Sequence, residues 1–157
     1  MFNLEEAFRS VPGVENIVIT TTEDDNHDTS GMLDIQGMRA YFEYKKATAI
    51  DIILTTIAFE YTLFNKEKKD KILELVNFFN KTKPGIKCCL ADMPKGKLKI
   101  AFKSEIITKN GDYDTLKGSL YASIPILSAA PLIFSMDMDL KSIQHKKIVR
   151  AADERKK

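Results

Sequence analysis

The sequence predicts an α+β fold in which helices pack on an antiparallel sheet. Three observations predict it: apolar residues recur with helical spacing in three segments, β-branched or alternating segments lie between them, and short turn motifs join neighbouring strands. The predicted order of elements is α-β-β-β-α-β-β-α. We expect a single domain over residues 1–139, followed by a basic C-terminal extension over residues 140–157.

The first part of the chain predicts one short helix and then strands. Residues 3–11 carry apolar side chains at helical spacing, and a Pro-Gly pair ends this helix. The β-branched run 17–22 predicts a strand. Over residues 31–46 the apolar side chains change parity at Gln36-Gly37, which indicates either a tight turn or a bulge.

The middle of the chain predicts a strand followed by the clearest helix. Residues 49–62 carry apolar side chains at both odd and even positions, so both faces of a strand there would be apolar, and they contain a β-branched run. This pattern favours a central or bulged strand over an amphipathic helix. Residues 66–81 hold apolar side chains at i, i+3, i+4 and i+7, with Asn65 as the predicted N-cap. A Pro-Gly pair at 84–85 closes this helix.

A hairpin and a last helix are predicted next. Residues 86–92 and 97–107 form the two strands, and the second alternates apolar with mostly basic side chains. After a turn, Asp112 or Asp114 is expected to cap the last helix. Two prolines inside this helix should kink or divide it, because each removes an amide donor and clashes with the preceding turn.

Composition supports a folded chain and excludes several protein classes. Of the 157 residues, 44% are hydrophobic and 29% are charged, with 7 Gly, 5 Pro and 2 Cys. These values exclude a disordered chain, a collagen and a disulfide scaffold. A chain of this length buries roughly two thirds of its unfolded surface, so it needs neither a metal nor a disulfide to fold.

Charge is distributed unevenly along the chain. Residues 1–65 hold 4 basic and 11 acidic residues, a net of −7, whereas residues 66–157 hold 20 and 11, a net of +9. Residues 141–157 alone contribute 7 basic against 2 acidic residues, and we expect an exposed helix there that frays into a basic tail. Two opposite poles favour self-association or an acidic partner over nucleic acid.

Several features predict a reduced, cytoplasmic protein that is not embedded in a membrane. The first residues lack the basic and apolar regions of a signal peptide. The longest apolar-rich stretch, 124–138, is interrupted by prolines, serines and Asp137. Adjacent Cys88 and Cys89 make neither a favourable disulfide nor a zinc site, so we expect two reduced, partly buried thiols.

The sequence contains no catalytic or metal-binding motif. Alternate positions over 24–30 match part of a calcium loop, but Ile35 stands where the bidentate glutamate is required. His27 and His145 lie in charged segments that are predicted to be exposed, without a neighbouring nucleophile. We therefore expect a protein that is not an enzyme and that uses no cofactor and no metal.

Two surfaces are candidates for binding. The last helix carries more apolar residues than one sheet-facing side needs, which predicts a dimer or partner surface rather than a fully buried helix. This surface comprises Leu127, Ile133, Phe134, Met136 and Met138. A basic patch is predicted on the second hairpin and the extension. It comprises Lys95, Lys97, Lys99, Lys103, Lys146, Lys147 and Arg150. Aromatic residues are not interleaved with these cations, so nucleic-acid binding is the less favoured interpretation.

The chain carries a resemblance to a known family that covers roughly residues 3–138 and is strongest in residues 72–136. An aliphatic stripe is followed by Val76-Asn77 and by Asn80 directly after an aromatic residue. Two strands joined by a turn at 93–96 and a helix after a polar loop then follow. This order resembles the YbjN-like family of bacterial proteins, which shares its fold with the type III secretion chaperones. The chain departs from that family in the prolines of its last helix and in its basic tail.

The resemblance implies a type III secretion chaperone-like fold and a small cytoplasmic homodimer. It implies a non-enzymatic, chaperone-like or regulatory protein that binds another polypeptide, as client or target, through an apolar sheet or helix surface. One alternative from the residues is a regulator that contacts nucleic acid through the basic second half. Another is a small enzyme whose site carries no recognisable motif.

Overall fold

The computed structural model describes residues 3–21 and 28–148 of the chain. The helices are α1 (Leu4–Arg9), α2 (Lys69–Thr82) and α3 (Tyr113–Leu140). The strands are β1 (Val14–Thr21), β2 (Thr29–Ile35), β3 (Met38–Lys46), β4 (Ile50–Thr62), β5 (Lys87–Asp92) and β6 (Lys97–Lys109). They form one six-stranded antiparallel sheet in the order β1-β2-β3-β4-β6-β5. The predicted α+β class is confirmed. The order of elements agrees with the prediction except that the strand region predicted over residues 31–46 contains two strands, β2 and β3, so that four strands and not three precede α2. The chaperone-like fold stays a prediction.

The chain divides into two compact units. The first comprises residues 1–57 and 103–128, and the second comprises residues 58–102 and 129–157. Strands β4 and β6 and helix α3 each contribute residues to both units. The predicted single domain over residues 1–139 with an extension over residues 140–157 stays a prediction.

In the first unit, β2 and β3 form a tight hairpin. Ile35 pairs with Met38, and the intervening Gln36 and Gly37 have φ angles of 48° and 81°. Two left-handed residues in succession make the turn whose twist matches that of the flanking strands. The change of parity at this point therefore marks a turn and not a bulge.

A bulge does occur in β1. Its pairing with β2 shifts register between Glu15 and Val18, and Asn16 has a φ of 53°. Asparagine tolerates this left-handed conformation better than most residues. Because β1 is an edge strand, a bulge and the added twist hinder pairing with a foreign strand.

In the first unit, the absence of a side chain at Gly31 of β2 allows the backbone of β1 and the Phe42 ring of β3 to approach this position closely. A methyl group at this position would lie 2.2 Å from the carbonyl oxygen of Val18 and 2.6 Å from the ring of Phe42. Phe42 is itself buried, with its ring centroid 4.8 Å from that of Phe8 in α1. The Phe42 ring thus occupies the space that any larger residue at position 31 would need.

Helix α2, in the second unit, begins later than predicted. Its first residue is Lys69, and the capping residue Lys68 makes no side-chain hydrogen bond to the helix. Asn65, the predicted cap, donates instead from Nδ2 to Oε1 of Gln144 at 2.9 Å. The predicted apolar stripe is confirmed, because its members are the buried residues Ile72, Leu75, Val76 and Phe79.

Helix α3 runs without interruption for 28 residues. Asp112 caps it as predicted, since its carboxylate accepts hydrogen bonds from the backbone amide and the hydroxyl of Thr115 at 3.2 and 2.8 Å. Pro125 and Pro131 do not divide the helix. Buried apolar residues precede and follow each proline, and packing of such a face stabilises a helix more than one hydrogen bond does.

The chain after α3 does not continue as the predicted exposed helix. Ser142 has a φ of 59°, and its amide donates to Asp139 O at 3.1 Å while the Ile143 amide donates to Met138 O at 2.9 Å. This is a Schellman motif with serine at the position that glycine usually takes. The turn brings Ile143 and His145 into buried positions, so the described part of the extension packs on the second unit.

Candidate functional site

The predicted partner surface on α3 is distributed over two sides of the helix. Leu127, Phe134 and Met138 are fully buried, because their spacing places them on the face that packs inwards. Met136 is 59% exposed and Ile133 is half-buried. The first three residues therefore belong to the core, and only the last two reach the surface.

An outward-facing apolar stripe runs along α3 within the second unit. It comprises Ala129, Ile133, Met136 and Leu140, which we call the outer stripe. Their spacing of four, three and four residues places them on one side of the helix. Leu140 is 76% exposed. Residues 118–136 contain no charged residue and no histidine, so no charge interrupts the stripe before its last turn.

The opposite side of α3 holds the aromatic core of the second unit. The ring of Phe134 lies 5.6 Å from Tyr61, 5.8 Å from Phe79 and 5.7 Å from Phe102, measured between centroids. Tyr61 also donates from its hydroxyl to the carbonyl oxygen of Pro131 at 2.6 Å. These contacts fix the rotation of α3 and so determine which residues form the outer stripe.

A serine and a histidine are paired inside the second unit. Ser135 Oγ lies 2.5 Å from His145 Nε2, and His145 Nδ1 lies 3.0 Å from the Ile143 carbonyl oxygen. The carbonyl requires the proton on Nδ1, so Nε2 accepts from the Ser135 hydroxyl. His145 is buried and not exposed as predicted, because the turn at Ser142 returns the chain to the core. Both side chains are nearly inaccessible to solvent, which indicates a structural role.

The two thiols differ in environment. Cys88 is buried and Cys89 is exposed. Burial above all, then the neighbouring Cys89 and Asp137, raise the pKa of Cys88 to about 12. The side-chain amide of Asn80 holds this part of β5 in place: it donates to Cys88 O at 2.9 Å and accepts from Cys88 N at 2.8 Å. Cys88 is therefore a structural thiol and not an activated nucleophile.

We expect the two cysteines to differ in alkylation rate. At neutral pH, iodoacetamide should modify Cys89 about 100-fold faster than Cys88, because Cys89 is exposed whereas Cys88 is buried and its pKa is raised. Peptide mass spectrometry over a time course measures both rates. A Cys89→Ser variant should be nearly unreactive while folded, and equal rates at the two positions would contradict the described burial.

Two carboxylates are buried, each in a different unit. In the second unit, Asp137 lies 3.3 Å from Lys83 Nζ. In the first unit, Asp51 accepts a hydrogen bond from the Gly111 amide at 3.2 Å. Burial, and then the charge of Asp51, raise the pKa of Tyr44 to about 12. Both carboxylates hold neighbouring segments together.

The described residues contain no arrangement suited to a metal. Across 3–21 and 28–148, no group of three or more His, Cys, Asp and Glu side chains is placed to hold an ion. The calcium-like pattern and His27 lie mostly or wholly outside the described residues. Two surface depressions, one beside Phe78 on α2 and one beside Glu15, are shallow and open.

The basic patch consists of exposed lysines, some of which are neutralised. Lys97 pairs with Glu60 at 2.9 Å, and Lys147 pairs with Asp139. The other exposed members are Lys95, Lys99, Lys103 and Lys146, whereas Arg150 lies outside the described residues. Of these, Lys103 belongs to the first unit and the rest to the second. Tight binding to phosphates requires many unpaired cations on one surface, because each cation that contacts a phosphate releases a counter-ion. Pairing with carboxylates lowers the number of lysines that can do so.

Sequence reasoning missed a second apolar surface, on the sheet of the first unit. Val18 pairs with Met32, Met32 with Tyr41 and Tyr41 with Thr56, so these side chains form one row across four strands. Val18 and Tyr41 are each slightly more than half exposed, as is Ile107 of β6. The bulge in β1 determines which face of the sheet the Val18 side chain points to, so alternation of apolar and polar residues alone could not predict that face.

Among the described helices, α3 is long and apolar enough to cross a membrane. Its residues Leu127, Phe134 and Met138 are buried within the chain itself. Core helices of soluble proteins meet the same length and composition test.

Comparison of the chain with protein-family models, with curated proteins and with solved structures gave no match. The resemblance to the YbjN-like family therefore stays a prediction from residues 72–136 and from the order of elements.

Proposed function

We propose that this chain is a non-enzymatic protein-binding module, chaperone-like or regulatory, that binds another polypeptide through the outer stripe of α3. One observation carries the proposal. Ile133, Met136 and Leu140 lie on the solvent side of a helix whose other side is already packed. Apolar side chains in such a row lose contact with water only when a partner covers them.

The geometry favours an α-helix or another elongated apolar segment as the bound element. Residues at intervals of four and three face one partner along the helix, as in helix-in-groove and coiled-coil contacts. Methionine at the centre of the stripe can adapt to partners of different shape. Because the stripe itself carries no charge, specificity would come from shape and from the charged residues beyond it, such as Lys141.

A homodimer and a cytoplasmic location belong to the same proposal. Two chains can bring their stripes together as a symmetric pair, the commonest form of oligomer. The acidic first half and basic second half provide complementary charges for such a pair. Two free thiols on β5 agree with a reducing compartment. The family resemblance supports the same interpretation, with a different protein as client or target.

A charge in the outer stripe is expected to weaken partner binding strongly. Met136→Glu should weaken association by about 100-fold, because a carboxylate would be buried without a counter-charge in the apolar contact. Sedimentation equilibrium of the purified chain tests self-association. A photo-crosslinking residue at position 133 in cells tests a different partner, identified by mass spectrometry.

Leu73→Glu is the matched control, since Leu73 is a partly exposed apolar residue on α2 of the same unit. It should leave binding unchanged. The proposal fails if Met136→Glu and the unmodified chain associate equally, or if Leu73→Glu weakens binding as much.

A further inference from the structure

The C-terminal residues 143–147, which we call the clasp, pair with the end of β4 through an isolated antiparallel bridge. His145 forms an antiparallel bridge with Leu63. The Phe64 amide donates to Gln144 O at 3.1 Å, and the Lys146 amide donates to Thr62 O at 2.9 Å. On its other side the Leu63 amide donates to Gly96 O at 2.9 Å. Residues 62–64 therefore form an acceptor site that the clasp fills.

Two side chains anchor the clasp in the second unit. Ile143 and His145 are both buried. The imidazole of His145 accepts from the Ser135 hydroxyl and meets the ring of Tyr61 edge-on, with centroids 6.0 Å apart. These contacts require isoleucine and histidine at the two buried positions of the clasp. They do not depend on which copy of the chain supplies it.

The connection between α3 and the clasp is short and unfavourable. Only Lys141 and Ser142 separate Leu140, the last residue of α3, from Ile143. Ser142 has a φ of 59°, a left-handed conformation that is costly for any residue with a Cβ atom. An extended conformation at Ser142 would relieve this cost and carry the clasp away from its own acceptor site.

We propose that the acceptor site at 62–64 also binds the clasp of a second copy of this chain, so that two chains exchange their clasps. The pairing of the clasp with residues 62–64 and its buried side-chain contacts are remade in the exchanged form. The turn loses the hydrogen bonds of Ser142 and Ile143 to the end of α3, and the hinge at Ser142 gains a relaxed backbone. Strained short hinges favour this kind of exchange, and the concentration of the chain then decides between the two forms. The exchange uses a site separate from the outer stripe and does not depend on the proposed function.

The experiment uses the full chain with Asn65→Cys and Gln144→Cys in a Cys89→Ser background. The side chains at 65 and 144 are in direct contact in the closed form. Oxidation links them within one chain in the closed form and between two chains in the exchanged form. Samples are equilibrated over a range of concentrations after brief partial unfolding, and denaturing electrophoresis separates the products. The linked dimer is expected to increase with concentration.

Substitutions of the hinge residue Ser142 test whether the cost of its left-handed conformation controls the exchange. Ser142→Gly should lower the fraction of linked dimer about fivefold, because glycine removes the cost of the closed turn. Ser142→Pro should raise it, since proline cannot adopt a positive φ. If the proline variant does not fold, the glycine variant decides alone.

Met136→Glu in the same background separates this exchange from association through the outer stripe. The linked dimer should persist when the stripe is disrupted. Linkage within single chains only, at every concentration, would overturn the proposal. So would a linked dimer that Met136→Glu removes, or one that Ser142→Gly leaves unchanged.

Discussion

Gly31→Ala is expected to destabilise the protein by about 3 kcal/mol, because the added methyl group has no space. It would lie 2.2 Å from the Val18 carbonyl oxygen, which is part of the β1–β2 pairing, and 2.6 Å from the Phe42 ring. The backbone atom cannot move without breaking that pairing. The ring cannot move freely either, because Phe42 is buried against Phe8.

Denaturant unfolding followed by circular dichroism measures this effect. Gly118→Ala is the matched control, since nothing lies within 4 Å of a methyl group at that position of α3. Alanine is the better helix former, so the control should gain up to about 1 kcal/mol. Opposite signs are therefore expected for the same chemical change. Equal midpoints for Gly31→Ala and the unmodified chain would contradict the described contact of β1, β2 and Phe42.

Phe134→Ala is expected to cost about 3–5 kcal/mol of stability, whereas Met136→Ala should cost no more than about 0.5 kcal/mol. Phe134 is fully buried and contacts three other aromatic rings, so its removal leaves a cavity. Met136, two residues further along α3, is mostly exposed and has little packing to lose.

The comparison is made by thermal and denaturant unfolding of both variants at one protein concentration. A fixed concentration matters because association through the outer stripe would itself add stability. If the two substitutions cost the same, the described rotation of α3 is wrong, and the assignment of Met136 to the outer stripe fails with it.

Much of the secondary structure could be predicted because its signals are local. The spacing of Ile72, Leu75, Val76 and Phe79 identifies the buried face of α2. The change of parity at Gln36-Gly37 identifies the break between β2 and β3. Repeats of two and of 3.6 residues follow from backbone geometry alone, so a short window of sequence is sufficient.

The errors occurred where a side chain finds a distant partner. Asn65 was expected to cap α2, but it binds Gln144, 79 residues away in the sequence. The two prolines were expected to interrupt α3, yet buried residues on either side hold the helix together. A capping propensity or a proline penalty is small, and tertiary packing can exceed either.

The candidate site could be predicted only in part. An excess of apolar residues on the last helix was evident from the sequence, but their assignment to an outer or inner side was not. Leu127, Phe134 and Met138 are chemically similar to Ile133 and Met136, so composition cannot distinguish them. The row that contains Val18 and Tyr41 escaped prediction because a bulge shifts the parity of β1.

The amino-acid pattern was sufficient for the α+β class, for the order of elements apart from the division of residues 31–46 into two strands, and for the buried face of α2. It also determined that the last helix has more apolar surface than one contact covers. Three features depend on long-range packing: the rotation of α3, the burial of His145 and the return of the C-terminal residues to β4. The difference lies in how far apart along the sequence the contacting residues are. Periodicity comes from neighbouring residues, whereas rotation and docking depend on contacts such as Tyr61 with Pro131, 70 residues apart.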